Sequence, residues 1–484
     1  MKKNILALLL LSAMLASSAC GGSSTDTTDT TGGASDTTAA EETGVTDGLG
    51  EWDFGGDTFD MLTRLYSMVH ANLNTDETTG DLLNDEIYNR NRRVEDRFNF
   101  KFTETYYSYD DGGNDYPRQF LLAGDETYDL YSGRLNNMFT FAAEGLIIPA
   151  GEIPHIDHTK PYWNDQLHEI LKVAGKYRFV VGDYSLAAAD FASFMIYNKT
   201  MADEFSISGL YDLVREGKWT LDKFAEYAKL AVSDLDGNQK MDASDRYGYV
   251  SVAYDVPIDL ALGAGVRLFS KDENDLITYV APTDEKVIDV FNRIWEIMWD
   301  DGVWHVNTAN DDRLEQLKLF TDNQSLFAYA TPFILTTTLR ETTVDFGVLP
   351  FPKWDEKQEN YYTRTGGIEL FGISYSNKKP EMAGVIMEAM ACDSYNNLTP
   401  AYYDATLNVK GTRDEDSVEM LQIILDSRIH DYGDTLLFGE LNSPIIKFMM
   451  RQNDRNFVSK FTGAEAKIQG VLDTFHQGFA DNDK

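Results

Sequence analysis

The chain has 484 residues, with 79 acidic against 42 basic side chains and a formal net charge of -37, a length that suits two or three domains. Hydrophobic residues make up 43%, enough for a sizeable core, which excludes a disordered body. The acidity, with no Lys/Arg-rich run, excludes nucleic acid as a partner and docking of the body on an anionic membrane, and two cysteines exclude a disulfide framework or a Cys-based zinc site.

In chain order, Met1-Lys2-Lys3 precedes a nearly unbroken apolar run over 5–15. Its size suits a secretory leader and is too short to span a bilayer. Ser17-Ser18-Ala19-Cys20 resembles a lipobox, which implies a signal peptide over 1–19 and a lipid on Cys20. Residues 20–51 are Gly, Ser, Thr, Asp and Glu with almost no apolar side chain, so they read as a flexible tether with a reach of about 30 Å. The chain is thus expected at the extracellular face of the membrane, held only by its lipid.

The folded part begins at Trp52. A strand is expected over 58–62 and a helix over 82–98, with Leu83, Ile87, Val94 and Phe98 on its buried face. Phe100 and Phe102 start a second strand; 128–132 reads as a strand, 136–144 as a helix, and 177–181 and 194–197 as strands. Thr220 and Thr283 are expected to cap helices, Pro380 to open one reaching Cys392, and Ile468 to Phe479 to mark a last one. Cys392 reads as a buried thiol. Alternating strands and helices predict an α/β protein of two lobes, each a mainly parallel sheet flanked by helices.

Catalytic motifs are missing. There is no Gly-x-Ser-x-Gly elbow and no Walker loop, and Gly263-Ala264-Gly265 lacks the third glycine of a dinucleotide fingerprint. No organic cofactor is expected. One loop has metal-ligand spacing: Asp234, Asp236, Asn238, Lys240 through its carbonyl, Asp242 and Asp245 fall at positions one, three, five, seven, nine and twelve of an EF-hand-type cadence. A structural Ca²⁺ is expected there, weakened by Gln239 where Gly is usual and by Asp245 where Glu is usual.

Several phrases in order carry a resemblance. They are Asn84-Asp85-Glu86-Ile87-Tyr88-Asn89, Tyr128-Asp129-Leu130, Tyr197-Asn198-Lys199, Lys218-Trp219-Thr220-Leu221-Asp222, Phe346-Gly347-Val348-Leu349-Pro350 and Pro400-Ala401-Tyr402-Tyr403-Asp404. From Trp52 to the end the chain resembles the extracellular solute-binding lipoproteins of ABC importers, the carbohydrate-type family 1. The resemblance implies a non-enzymatic, monomeric receptor that closes two lobes over a sugar or oligosaccharide and delivers it to importer permease subunits. It also implies lobe 1 over 52–188 and about 365–405, and lobe 2 over 189–364 and about 406–484. The alternatives are a secreted carbohydrate-active enzyme and a binder of peptide or another polar solute.

In open α/β sheets ligands lie beyond the carboxyl ends of the strands. That rule selects Arg64, Tyr66, Ser132, Arg134, Asn136 and Tyr329 as ligand-binding candidates; the resemblance adds Phe333, which falls in a turn similar to the family's small-Pro-aromatic turn, and Asp190 and Arg364, on the segments where it implies that the chain crosses between lobes. Flat rings suit sugar C–H faces, and planar polar groups span vicinal hydroxyls. Trp163, Trp219 and Trp304 read as structural.

Overall fold

The computed structural model describes residues 44–482, apart from 66–72, 109–112, 164, 306–311, 367, 408–413 and 435. The leader, Cys20, most of the tether and Tyr66 lie outside the described residues. No helix among the described residues is long and apolar enough to cross a membrane.

The strands are β1 (Asp57–Arg64), β2 (Phe100–Tyr107), β3 (Leu130–Arg134), β4 (Phe194–Asn198), β5 (Tyr247–Val250), β6 (Phe269–Lys271), β7 (Ile277–Tyr279), β8 (Ser325–Ala330), β9 (Phe346–Leu349), β10 (Thr363–Arg364), β11 (Glu369–Gly372) and β12 (Arg428–Ile429). They form two four-stranded sheets, ordered β11-β3-β1-β2 and β5-β8-β4-β9, and two-stranded pairs β10-β12 and β6-β7. Each four-stranded sheet is the centre of one lobe.

In the first sheet β1 runs parallel to β2 and β3, and only β11 is antiparallel. The second sheet departs from the expected mainly parallel order. β5 and β8 are parallel, but β4 runs against both β8 and β9. A parallel neighbour needs a crossover of a dozen or more residues within the same sheet. β4 instead arrives straight from the first lobe, so nothing imposes the parallel direction on it.

The helices that bear on the site are α1 (Leu82–Phe98), α2 (Leu135–Ala143), α3 (Asp165–Leu171), α4 (Ala187–Asp190), α5 (Leu221–Ala231), α6 (Val256–Gly263), α7 (Glu285–Trp295), α8 (Pro332–Thr336), α9 (Pro380–Asp393), α10 (Thr399–Leu407) and α11 (Phe457–Asn482). α1 buries Leu83, Ile87, Val94 and Phe98, as its periodicity predicts, and Asp81 caps it by accepting from the N–H groups of Leu83 and Asn84. Thr220 caps α5 as expected. α7 is capped by Asp284, not Thr283, because the Asp284 carboxylate accepts from the Lys286 N–H one position further on. The strand expected over 177–181 shrinks to a single bridge between Val180 and Phe371. There the Val181 N–H donates to the His168 ring at 2.9 Å, which diverts it from a ladder.

Phe59 and Met61 of β1 pack on one side of the first sheet with Phe98, Phe102 and the buried face of α9. Cys392 is part of that core and is buried, as expected. Leu62 and Tyr131 belong to the other side, with Met138 and Phe139 of α2. The second core is continuous with it. α11 joins them: Phe457 and Phe461 pack on Phe291 at 5.6 and 5.5 Å between ring centroids, and Phe475 and Phe479 on Phe139 at 6.1 and 6.3 Å. Close approach requires Gly478, where a Cβ would stand 2.5 Å from the Ala143 carbonyl oxygen.

Candidate functional site

β1, β3 and β11 bring three strand ends together at one edge of the first sheet. Arg64 closes β1, Arg134 closes β3, and Glu369 opens β11 directly opposite Arg134. The Arg64 guanidinium pairs with Glu369, and the Arg64 N–H donates to Ser132 Oγ at 2.8 Å. The Ser132 carbonyl accepts from the Tyr107 hydroxyl at 2.8 Å. Ser132 therefore fixes the strand ends, while Arg134 and Asn136 stand exposed at the rim. Glu369 is 4% exposed. Burial raises its carboxyl above the usual range, with Arg64 and Arg134 opposing, and its Oε2 has no hydrogen-bond partner.

Three segments pass between the sheets side by side. Ala192 bridges Thr365, the Ser193 N–H donates to the Arg364 carbonyl at 2.9 Å, and β10 pairs with β12. Asp190, at the end of α4, is fully buried and accepts from the Tyr402 hydroxyl of α10 at 2.8 Å.

Arg364 is the centre of a buried ion network. Its Nε and Nη2 donate to Asp434 at 2.6 and 2.8 Å, and its Nη1 donates to Asp255 at 2.7 Å and Asp259 at 3.1 Å. Arg313 clamps Asp255 from the other side at 2.7 and 3.1 Å. Burial favours the neutral form of Asp255, but Arg313 and Arg364 outweigh it and hold the carboxyl below its usual range. Asp259 sits one turn further along α6. Burial pushes it up, Arg364 opposes, and the Asp255 charge adds to the rise, to about 7. Ser193 Oγ donates to Asp259 Oδ1 at 2.8 Å, and Asp259 Oδ2 has no partner. Thr365 Oγ1 and Ser251 Oγ are likewise buried without one. Arg364 and Glu369 are five positions apart, at most about 18 Å of extended chain.

Aromatic rings complete the second-lobe wall. The Arg313 guanidinium lies 4.8 Å from the Tyr254 ring centroid and 5.5 Å from that of Tyr329. Phe333 is half-buried on α8, which starts where β8 ends and is capped by Thr331. Of the nine sequence candidates, Arg64, Ser132 and Arg134 meet at one strand-end cluster with Asn136 beside it. Arg364 and Tyr329 meet in the second, and Asp190 and Phe333 lie on the flanking helices α4 and α8.

Sequence reasoning missed Asp255, Asp259, Arg313, Tyr254 and Asp434. One signal was present: Asp255 and Asp259 stand four apart at the edge of, and inside, an apolar helix. Buried carboxylates there require cationic partners. The tryptophans are structural as expected, Trp219 donating to the Pro350 carbonyl at 2.9 Å and Trp304 to that of Ser251 at 2.9 Å.

In the acidic loop, carboxylate oxygens of Asp234, Asp236 and Asp245 lie within 4.8 Å of one another. Gln239 adopts φ 63°, the left-handed turn that glycine makes at this point of such loops. Asn238 accepts from the Lys240 N–H at 2.7 Å, and Asp242 accepts from the Ser244 N–H at 2.9 Å. Three of the six expected ligands therefore converge, and the donor set, hard carboxylate oxygens, fits Ca²⁺.

No protein-family model matches the chain, and no curated protein matches it by sequence. Solved structures do. An ABC substrate-binding protein from Listeria monocytogenes in complex with cycloalternan is 14% identical, with a TM-score of 0.57 over 86% of this chain and 99% of that one. A cyclo/maltodextrin-binding protein complexed with maltotetraose is 15% identical, TM-score 0.58, over 85% and 97%. A sugar transporter protein from Rhizobium etli in an open conformation is 15% identical, TM-score 0.58, over 87% and 99%. The chain therefore has the two-lobed α/β fold of these proteins.

Proposed function

We propose that this protein captures a neutral sugar or oligosaccharide between its lobes and hands it unchanged to an ABC importer, held at the outer membrane face by a lipid on Cys20. The observation that carries the reading is the charge balance at the strand ends. Four carboxylates, Asp255, Asp259, Asp434 and Glu369, stand against four guanidinium groups, Arg64, Arg134, Arg313 and Arg364. Such a floor offers many planar donors and acceptors whose opposite charges largely offset one another, which suits a polyhydroxyl guest better than an ion. Tyr254, Tyr329 and Phe333 supply flat faces for its C–H surfaces. The fold supports the reading, since matching structures are named as sugar binders.

The test is a thermal-shift screen with maltotetraose, cycloalternan and other neutral glycans, followed by chromatography of the recovered sugar. A binder that protects the native state raises the melting temperature by mass action and returns the glycan intact. Cleaved glycan would establish the enzyme reading instead, and a shift with peptides alone would move the ligand class. Arg313→Ala is expected to weaken glycan binding at least tenfold, since it removes both the clamp on Asp255 and the cation between two rings.

We further propose that the loop from Asp234 to Asp245 holds a structural Ca²⁺. Adding millimolar Ca²⁺ to chelated protein is expected to raise the melting temperature, and Asp234→Ala to abolish that rise. An unchanged melting curve would remove calcium from the account.

A further inference from the structure

Against the crossing pair β10-β12, where Ile429 pairs with Arg364, lies a cavity of about 860 Å³, lined by none of the residues assigned above to sugar binding. That volume is within the range of small-molecule sites, roughly 300–1,000 Å³. Its walls come from three places. Glu169 and Ile170 belong to α3 in the first lobe, residues 265–271 surround β6 in the second, and Tyr362 with residues 429–432 flank the crossing pair β10-β12.

The chemistry of the walls is selective. Phe269, Tyr362 and Tyr432 give it flat aromatic surface, and Arg267 stands exposed on the same wall. In a chain with nearly twice as many acidic as basic residues, most described arginines carry a carboxylate or carbonyl partner. Arg267 has no ion pair or hydrogen bond among the described residues. Lys286, equally unpaired among them, reaches the same edge, its Nζ 3.4 Å from where Gly265 would carry a Cβ. The acidic wall residues are already engaged. Asp431 accepts from the N–H groups of Leu268, Phe269 and Gly433 at 2.8, 3.4 and 2.8 Å, Glu169 accepts from the Tyr177 hydroxyl, and Asp284 accepts from the Lys286 N–H at 2.9 Å. Lys271 is held by Asp275 at 3.1 Å.

We propose that this cavity binds a small organic anion with a ring body, its carboxylate on Arg267 and Lys286 and its ring against Phe269, Tyr362 and Tyr432. A guanidinium matches a carboxylate in a two-pronged geometry, and the adjoining rings give the body of the ligand apolar contact. Because both lobes and the crossing strands line the cavity, a guest there contacts parts that move relative to one another when the lobes close. It therefore couples to capture in the main cleft by whatever difference in affinity it has for the open and closed forms.

The shared chemistry, a carboxylate on a ring, is offered by aromatic acids and by sugar acids alike. Isothermal titration of the full chain with benzoate, glucuronate and inorganic phosphate separates the sources. Benzoate binding alone assigns the aromatic class and glucuronate binding alone the sugar-acid class; either supports the site. Arg267→Gln is expected to weaken the bound probe at least tenfold while leaving the circular dichroism spectrum and the melting temperature unchanged. Lys286→Gln is expected to weaken it by a smaller factor. Binding of phosphate as tight as that of both ring acids, binding indifferent to Arg267→Gln, competition of the probe with a neutral glycan for one site, or no binding of any probe would each overturn the proposal. Failure of the glycan screen alone would leave this outcome unaffected, because direct titration of the ring acids requires no glycan.

Discussion

Arg364 was legible in the sequence as a polar residue on a crossing segment, but what it does there was not. Its guanidinium holds Asp255, Asp259 and Asp434 together beneath the cleft. Arg364→Met is expected to destabilise the fold by about 3–5 kcal/mol, because it leaves buried carboxylates uncompensated; urea denaturation checks this. Asp259 binds its proton far more tightly in the folded chain than its ordinary value of 3.8 allows, at about 7. The folded state therefore holds more protons than the unfolded between about pH 4 and 7, and the contribution of this group falls as pH rises through that window. Asp259→Asn removes that dependence. The difference in unfolding free energy between variant and wild type is expected to shift in favour of the variant from pH 4 to pH 7. The strand-end arginines Arg64 and Arg134 could be picked from the sequence because the strands that carry them were visible. The network could not, since Asp255 meets Arg364 over 109 residues of chain, and no local spacing encodes such a partnership.

Elements with a local signature were read well. α1 shows its buried stripe in the sequence itself, while its Asp81 cap emerges from the structure, and Asp81→Ala is expected to cost about 1 kcal/mol by leaving the first-turn N–H groups without their acceptor. α9 carries a signal that is invisible without the fold: a Cβ on Gly384 would stand 1.7 Å from the Pro154 carbonyl oxygen. Gly384→Ala should therefore cost about 1–3 kcal/mol, the usual range for overpacking, although helix propensity alone favours alanine there. Thermal unfolding of both variants decides these values. The direction of β4 was misread for the same reason of range. Alternating strands and helices imply parallel pairing only where a strand returns to its own sheet, and β4 enters from the other one.

At the scale of the whole molecule, the charge of -37 is a standing repulsion that the fold must overcome. Raising NaCl from 20 to 500 mM is expected to raise the melting temperature, since screening weakens repulsion between exposed carboxylates more than it weakens the buried pairs around Arg364. A fall in melting temperature over that range would show that the surface ion pairs outweigh the repulsion. The aromatic anchors of α11 carry a consequence for the newly made chain. Its 26 residues follow every described strand in the chain, yet they cover Phe291 and Trp295 in one lobe and Phe139 in the other. Neither lobe can finish closing its core before this helix is made. The growing polypeptide stays unsealed until α11 has emerged, and a version stopped at residue 456 would keep those rings in water and aggregate.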